Sequence, residues 1–450
     1  MLLALFLAAQ PSAWIPAHWT SSDPGSLNLL KDTPVNCLVL ESAQWSSAFA
    51  ESASARGVIT LGVVRPGPSA LDQARQAAAQ KLTGIFLEGD FPDSVVKALD
   101  DSKIPHVSLA SRSKMRLDGG ASIVGTDQGV WPGVRSEENG ESKSGPSGTP
   151  WIDTNTGFLR FVRALTNAPI WIGNVPPPKT VFPVGRYLQA IGDAAMSGAR
   201  WVVALDDDFS HRLLAGDRKA LHDWRTIGQC LQFYEDHADW RTWQPRSDLA
   251  LVEDASSGAL LSGGILDMIA VKHTPVRPIP TSRLTAGSMQ GFRMAADVDP
   301  SSLTTEQRAA LIAFTHAGGT LLSAPAGWKF VLPEDGQITL DAKSLQQLDD
   351  IWKELNSLTG RQNLGARLFN VSTMLSNLIQ APGGTPVVLH LVNYSDFPVD
   401  SITVHVAGKF KRARLLMPGQ DPQDLQPYEV EEGTGVDIDK MASVAAVELE

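Results

Sequence analysis

Short apolar runs alternate with amphipathic helical patterns through the first half of the chain. This alternation is typical of parallel strands that are covered by helices. The pattern predicts eight strands, at Val35–Glu41, Val58–Val64, Gly84–Glu88, His106–Ala110, Ala121–Gly125, Pro150–Ile152, Ile170–Gly173 and Trp201–Leu205. A (β/α)8 TIM-like barrel fits better than an open doubly wound sheet, because no glycine-rich phosphate loop follows the first strand.

Polar residues stand at the ends of several of these strands. In a parallel α/β barrel the carboxyl ends of the strands meet at one face, where the chemistry is placed. Two carboxyl groups at such a face, one of them protonated near neutral pH, can act together as a general acid and a base or nucleophile. The strand-end candidates are Glu41, Glu88, Asp127, Asp153 and Asp206 to Asp208.

We predict Glu88, Asp153 and one of Asp206 and Asp207 as the catalytic residues, with Glu41 and Asp127 as substrate contacts. Helix capping competes with catalysis at Asp153 and in the Asp206–Asp208 cluster, since acidic residues favour the start of a helix. Repulsion within the cluster would instead raise the pKa of at least one of its members, as a general acid requires.

Side chains near the strand ends are also candidate sugar contacts. The sequence has 12 Trp against 4 Tyr, and an indole ring at a pocket wall suits stacking on the apolar face of a sugar. Trp131 lies in the Gly- and Ser-rich segment 127–149, which we expect to cover the strand ends as a lid or wall. Trp131 and Trp151 are the predicted stacking rings, and Asn155 and Asn174 are the predicted amide contacts.

The composition indicates a globular protein of more than one domain. The 450 residues exceed one ordinary domain, and 43% hydrophobic with 19% charged residues allows sizeable cores. The net charge of −11 and the pI near 5.3 argue against a nucleic-acid binder or a basic membrane-surface protein. The two cysteines, Cys37 and Cys230, form no CxxC pair, and no HExxH or GxSxG motif occurs, so we expect neither a metal nor a cofactor.

Residues 1–13 have a short apolar core followed by small residues, as a secretory signal does, although no Lys or Arg precedes the core. Because of this signal-like start we predict an exported protein. Elsewhere no stretch of the sequence approaches a membrane span. The barrel is expected over residues 14–245 and a flavodoxin-like α/β domain over 246–330. A polar connector follows over 331–370, and period-two alternation predicts a C-terminal β-sandwich over 371–450.

Three segments of the middle region resemble one domain of a known enzyme family: LALVEDASSG, LLSGGILDMIAVKHTPVRPIPTSRL and TTEQRAALIAFTHAGGTLL. The family is that of beta-galactosidases with a glutamine-amidotransferase-like trimerisation module. HLVNYSDFPVDSITVHV is similar to their C-terminal sandwich strands, and the domain order is the same. The resemblance implies glycosidase chemistry on a carbohydrate substrate and a homo-oligomer, specifically a trimer.

The resemblance does not extend to the catalytic residues of those enzymes. Retaining beta-galactosidases of this superfamily have an Asn-Glu pair after strand four and a Glu after strand seven. This sequence has Ser108–Ser111 and Gly173–Asn174 there. The chain is therefore expected to be a glycosidase with relocated carboxylates or a carbohydrate-binding or scaffold relative that no longer hydrolyses. A third hypothesis, metal-dependent glycosyl transfer, comes from the similarity of Asp206–Asp208 to the DxD motif of nucleotide-sugar glycosyltransferases.

Overall fold

The computed structural model describes residues 11–117, 121–136, 142–147, 152–253, 273–297, 300–323 and 365–450, with isolated residues between 343 and 360. The chain forms two compact units. The first contains the residues up to Ser144, Thr166–Ala195 and Ala199–Ala238. The second contains Gly145–Leu165, Met196–Gly198 and Asp239–Glu450.

The first unit is built on an eight-stranded parallel sheet whose strands follow chain order. The strands are β1 (Pro16–His18), β2 (Cys37–Leu40), β3 (Ile59–Val64), β4 (Gly84–Glu88), β5 (His106–Ala110), β6 (Val124–Thr126), β7 (Ile170–Gly173) and β8 (Ala199–Val202). A parallel bridge between Ala17 and Val203 links the end of β8 back to β1, and the His18 amide donates to the Val203 carbonyl at 2.7 Å. The sheet therefore closes into a barrel, which confirms the predicted fold class.

Two strands differ from the prediction. β1 precedes the first predicted strand; it is short and begins with proline, so it carries no alternation that a pattern could detect. The predicted strand at Pro150–Ile152 was wrong as a barrel strand, because β6 pairs directly with β7, with Val124 opposite Ile170. Ile152 instead packs with Leu375 and Val392 in a core of the second unit. An apolar run of this length has no period from which its structure can be read.

Helices cover part of the barrel. The α-helices of the described residues are α1 (Ser47–Ala55), α2 (Ala70–Ala79), α3 (Asp93–Asp101), α4 (Thr156–Leu165), α5 (Val184–Ala195), α6 (Asp207–Leu214), α7 (Arg218–Asp236) and α8 (Thr305–His316). In the described part of the chain between β5 and β6, the helical structure is the single 3₁₀ turn Arg112–Lys114. Helix α4, expected between two barrel strands, belongs to the second unit, as does α8.

The second unit contains a parallel sheet and two antiparallel sheets. The parallel sheet has the order β10-β9-β11-β12, and its strands are β9 (Leu249–Glu253), β10 (Arg277–Pro280), β11 (Met294–Asp297) and β12 (Thr320–Ser323). Leu311 and Phe314 of α8 share a core with Ala250 and Val252 of β9. The region predicted as an α/β domain thus has a parallel sheet with a packed helix. The sequence pattern also predicts a helix at Gly263–His273, and of these residues only the last is among those that the structure describes.

The C-terminal residues form a β-sandwich, as predicted. Its strands are β13 (Ala366–Phe369), β14 (Met374–Gln380), β15 (Val387–Asn393), β16 (Val399–Ala407), β17 (Ala413–Leu416), β18 (Gln423–Leu425), β19 (Tyr428–Val430), β20 (Gly433–Met441) and β21 (Val444–Leu449). One sheet, which Gln244–Pro245 extends, has the order β14-β15-β21-β17-β18, and the other has the order β13-β16-β20-β19. Leu389 and Val447 of the first sheet pack with Val404 and Val436 of the second in one core.

Within the described residues, no helix is both long and apolar enough to span a bilayer. The domain boundaries at residues 13, 245, 330 and 370 stay predictions.

Candidate active site

Side chains at the carboxyl ends of the barrel strands converge on one cleft. The interior of the barrel is a packed core, and its members nearest these ends include Val39, Val63 and Phe86. Successive residues of a strand point to opposite faces, so the residue two positions further on points the same way as the core residue. This alternation brings Glu41, Arg65 and Glu88 to the inward side of the barrel mouth.

The cleft has a volume of about 290 Å³. Its polar lining comes from five strand ends: His18, Arg65, Glu88, Asp127 and Asn174. A second recess of about 150 Å³ shares His18 and Val175 with it, and Glu41 and Asp207 also line that recess. The two recesses together are the candidate active site, at the end of the barrel where this architecture places its chemistry.

Arg65 connects the two glutamates of the site. Its guanidinium donates two hydrogen bonds to Glu41, Nη1 to Oε2 at 2.8 Å and Nη2 to Oε1 at 2.6 Å. Nη2 also lies 2.6 Å from Oε2 of Glu88. The hydrogen bonds from Arg65 hold the pKa of Glu41 below its ordinary value. Glu41 is therefore an ionised partner of Arg65 at neutral pH.

Glu88 experiences opposing effects. Its side chain is 15% exposed, and burial, together with the charge of Glu41, raises its pKa above the ordinary value. The charge and the hydrogen bond of Arg65 act in the other direction. The net direction is upward, so the ionised form of Glu88 depends on Arg65.

Asp127 is the second carboxyl group that this cleft perturbs. Burial raises the pKa of Asp127 to about 6, and the negative charges of Glu88 and Asp90 add to the effect. Because Glu88 acts on Asp127 and both residues line the cleft, the two carboxyl groups share one environment. A carboxyl group that holds its proton close to neutral pH can serve as a general acid.

His18 is a neutral side chain of the same cleft. Burial lowers the pKa of His18 to about 4, with the charge of Glu41 opposing this effect. Its ring packs edge-to-face on Phe86 of the barrel interior, with the ring centroids 5.8 Å apart. A neutral imidazole has one donor and one acceptor nitrogen, so His18 can form hydrogen bonds in both senses with a hydroxyl group.

Of the residues predicted from the sequence, the structure brings six to this site: Glu41, Glu88, Asp127, Asn174, Asp206 and Asp207. Asn174 also braces the segment that follows β6. Its side-chain amide donates to the Gly129 carbonyl at 3.0 Å, and its backbone carbonyl accepts from the Trp131 indole at 3.1 Å. Asn174 therefore fixes the loop beside the cleft as well as lining it.

Asp206 has the helix-capping role that competed with catalysis in the sequence. It is 2% exposed, and Oδ1 accepts from the Phe209 amide at 2.9 Å, which caps α6. Oδ2 accepts from the Tyr187 hydroxyl at 2.7 Å and from the Phe182 amide at 3.1 Å. Protein donors thus occupy both oxygens.

The other two members of the acidic cluster are exposed. Asp207 lines the second recess, so it stays within reach of a ligand there. Asp208 instead forms an ion pair with Arg212 one turn later on α6, at 2.7 Å. The three aspartates therefore have three different environments.

Asp153 and Asn155 belong to the second unit, and neither is among the residues that line the two recesses of the barrel mouth. Oδ2 of Asp153 accepts from the Ser147 hydroxyl at 3.1 Å, and the Asp153 amide donates back to that hydroxyl oxygen at 2.8 Å. Asn155 is fully buried. Trp151 lies outside the described residues.

Trp131 is part of an aromatic core. It is 4% exposed, with ring centroids 4.9 Å from Phe182, 5.5 Å from Tyr187 and 4.9 Å from Trp201. In this conformation its ring has no open face on which a sugar could stack.

Two residues of the site, His18 and Arg65, were missed by the sequence analysis. Arg65 directly follows β3 and stands two positions after the buried Val63, so extending the alternation past the apolar run would have found it. His18 gave no such signal, because β1 itself was not predicted. Among the residues that the structure describes, no group of three or more His, Cys, Asp or Glu side chains is placed to hold a metal ion.

No protein-family model matches the sequence, and a search of curated proteins finds no significant match. Solved structures do match. An alpha-L-fucosidase (isoenzyme 2) from Paenibacillus thiaminolyticus is 10% identical, with a TM-score of 0.60 over 97% of this chain and 99% of that chain. A beta-galactosidase from Rahnella sp. R3 is 10% identical, with a TM-score of 0.54 over 97% of this chain and 99% of that chain. At this identity the likeness shows a shared fold.

Proposed function

We propose that the chain is a glycoside hydrolase that cleaves an oligo- or polysaccharide at the mouth of the barrel. The observation that carries the proposal is the convergence of Glu88 and Asp127 on one cleft, with the pKa of Asp127 raised to about 6. Hydrolysis of a glycosidic bond needs one protonated carboxyl group and one ionised carboxylate. The fold shared with a solved alpha-L-fucosidase and a solved beta-galactosidase supports this class.

In this proposal Asp127 is the general acid, and it protonates the oxygen of the departing sugar. Glu88 is the carboxylate that attacks the anomeric carbon or activates a water molecule. Arg65 keeps Glu88 ionised by its positive charge, and Glu41 holds Arg65 in place through its two hydrogen bonds. The neutral His18 is suited to bind a sugar hydroxyl beside them.

Hydrolysis by the purified chain tests the proposal, with aryl glycosides that include fucosides and galactosides and with neutral oligosaccharides as substrates. We expect Asp127→Asn and Glu88→Gln to lower kcat/KM by about 10²–10⁴-fold. Asp72→Asn, an exposed aspartate on α2, is the matched control and should leave the rate unchanged. Wild-type rates in both cleft variants would refute the proposal. Asp153→Asn and Asp207→Asn in the same assay test the assignments made from the sequence.

A second function, carbohydrate binding without turnover, is favoured by one observation. Arg65 forms ion pairs with both Glu41 and Glu88, so both glutamates already have a partner. A site of this kind would bind neutral oligosaccharides with a measurable heat in calorimetry and release no reducing sugar on prolonged incubation. Glu88→Gln would then keep the affinity within a few-fold, and product formation by the wild-type chain would exclude this function.

Transfer from a nucleotide sugar through Asp206–Asp208 has less support. Asp206 is occupied in capping α6, and Asp208 is paired with Arg212. Calorimetry with a nucleotide sugar and a divalent cation tests this alternative, and the absence of a heat of binding would exclude it.

Export and a homotrimeric assembly are carried over from the sequence and the family resemblance. Light scattering on the purified chain tests the assembly, because a monomeric mass would contradict the trimer.

A further inference from the structure

One face of the β-sandwich presents aromatic and polar side chains in register. Across the four-stranded sheet, Arg367 lies opposite His405, His405 opposite Gly435, and Gly435 opposite Tyr428. Their neighbours along the strands, such as Val404 and Val436, point into the sandwich core. Because side chains alternate along a strand, this row lies on the outer side of the sheet.

The Tyr428 ring lies on the backbone of the neighbouring strand. A Cβ atom built on Gly435 would come within 2.4 Å of Cε2 of Tyr428, so the ring occupies the space that a side chain would take. Tyr428 is 39% exposed. Only glycine at position 435 lets the ring lie this close to the sheet.

The hydroxyl group fixes the other end of this ring. It donates to Oδ1 of Asp437 at 3.0 Å, and the Thr403 hydroxyl donates to the same oxygen at 2.8 Å. Asp437 is exposed. Among the described residues, the hydrogen bonds to the Asp437 carboxylate all end on Oδ1, so Oδ2 remains able to accept from a ligand. An oriented acceptor thus stands at the edge of a fixed ring.

Polar groups of fixed orientation continue the row. The Arg367 guanidinium lies over the Phe369 ring, 5.0 Å from its centroid, and donates to Glu432 at 2.8 Å. Glu432 in turn lies 3.3 Å from Nδ1 of His405. Two carboxylates and one guanidinium give this face a negative balance.

We propose that this face, defined by Arg367, Thr403, His405, Tyr428, Glu432 and Asp437, binds a neutral saccharide chain. The apolar C–H face of a pyranose ring packs on the Tyr428 ring, and its hydroxyl groups donate to Asp437 and Glu432. The preorganised ring loses little freedom on binding. A polyuronate is disfavoured by the carboxylates.

Affinity electrophoresis of the full chain tests the proposal, in native gels that contain xylan, galactan or hydroxyethyl cellulose, with polygalacturonate as the acidic comparison. We expect at least one neutral polysaccharide to retard the wild-type chain, and polygalacturonate not to do so. Tyr428→Ala should lower the affinity at least fivefold. Gly435→Ala, which displaces the ring but keeps the tyrosine, should act in the same direction. Phe397→Ala is the matched control, because Phe397 is an aromatic side chain 77% exposed elsewhere on the sandwich.

Three results would overturn the proposal. The first is no retardation of the wild-type chain by any neutral polysaccharide, and the second is wild-type retardation of a Tyr428→Ala chain with an unchanged melting temperature. The third is a change of mass in light scattering on Tyr428→Ala, which would make this face an interface between copies. Retardation of the wild-type chain requires binding but no turnover, so the proposed hydrolase function can fail without affecting this result.

Discussion

Arg65 and Glu41 form a two-pronged ion pair at the mouth of the barrel, with both guanidinium nitrogens Nη1 and Nη2 within 2.8 Å of the carboxylate. The planar fork of arginine matches a carboxylate in this geometry and fixes the direction of the side chain. Nη2 is thereby directed towards Glu88 as well. The charge state of Glu88 thus depends on Arg65 and Glu41, which stand at the ends of two neighbouring strands.

Removing Arg65 should change the pH dependence of hydrolysis. In Arg65→Met, burial and the charge of Glu41 act on Glu88 without opposition, so the pKa of Glu88 rises further. The acidic limb of the kcat/KM profile then moves to higher pH, so the rate at a pH on that limb falls relative to wild type. Arg75→Met, which removes an exposed ion pair on α2, is the control. An unchanged acidic limb would show that the ionisation of Glu88 does not control the reaction.

Asp127→Asn should affect substrates according to their leaving groups. A phenolate with strongly electron-withdrawing substituents departs without a proton, whereas an alkoxide of a sugar needs one. We therefore expect a large loss of kcat/KM, about 10²-fold or more, for an oligosaccharide and a small loss for a nitrophenyl glycoside. Equal losses for both substrates would assign Asp127 to binding.

Asp127 should also make stability depend on pH. Its pKa is raised to about 6 in the folded chain from an ordinary value of 3.8, so the folded state binds the proton more tightly than the unfolded state. The contribution to the free energy of unfolding is complete below pH 4 and is lost as the pH rises through 6. Asp127→Asn removes this dependence. The free energy of unfolding of the variant minus that of wild type should therefore be larger at pH 7 than at pH 4, by on the order of 1–2 kcal/mol. Chemical denaturation at the two pH values measures the difference, and a constant difference would contradict it.

Asp206→Ala should destabilise the first unit. The substitution removes the cap of α6 and leaves the Tyr187 hydroxyl and the Phe182 amide without their acceptor. The expected loss is about 2–3 kcal/mol in the free energy of unfolding. Asp207→Ala is the matched control, because the Asp207 side chain is exposed in the first turn of the same helix. This substitution should lower the free energy of unfolding by no more than about 0.5 kcal/mol. Similar values for both variants would contradict the assigned cap.

His18 should titrate far below an ordinary histidine. Burial lowers the pKa of His18 to about 4, so its imidazole signals should stay constant between pH 5 and 8. Nuclear magnetic resonance of histidine-labelled chain measures this, and His18→Gln identifies the signal by its disappearance. A titration near pH 6.5 would show that the ring is solvated in solution.

The alternation of apolar runs was sufficient to predict most of the barrel strands and most of the polar residues at their carboxyl ends. Gly84–Glu88 and Ile170–Gly173 have the predicted bounds, since a buried parallel strand is apolar along its whole length. Glu88 and Asp127 were found because a strand end marks the site in this architecture. β1 could not be found, because it is short, begins with proline and carries no alternation of apolar and polar residues.

The acidic residues show the same limit of local patterns. Asp153 and Asp206 both follow an apolar run and precede a helix, so the sequence gives them equal claims to the barrel mouth. The structure separates them by partners that no local pattern contains: Ser147 for Asp153, and Tyr187 with Phe182 for Asp206.

The bridge between Ala17 and Val203 has a consequence for how the chain acquires its site during synthesis. β1 leaves the ribosome first among the barrel strands, yet its second neighbour emerges only after every other barrel strand has been made. Contacts of such large sequence separation form late, because their loop must be closed before they contribute. β1 pairs with β2 nearby in the sequence, where His18 lies opposite Val39, whereas the hydrogen bond from the His18 amide to Val203 can form only when the barrel closes. A nascent chain that stops short of β8 would therefore contain Glu41, Glu88 and Asp127 but lack the bridge that closes the barrel.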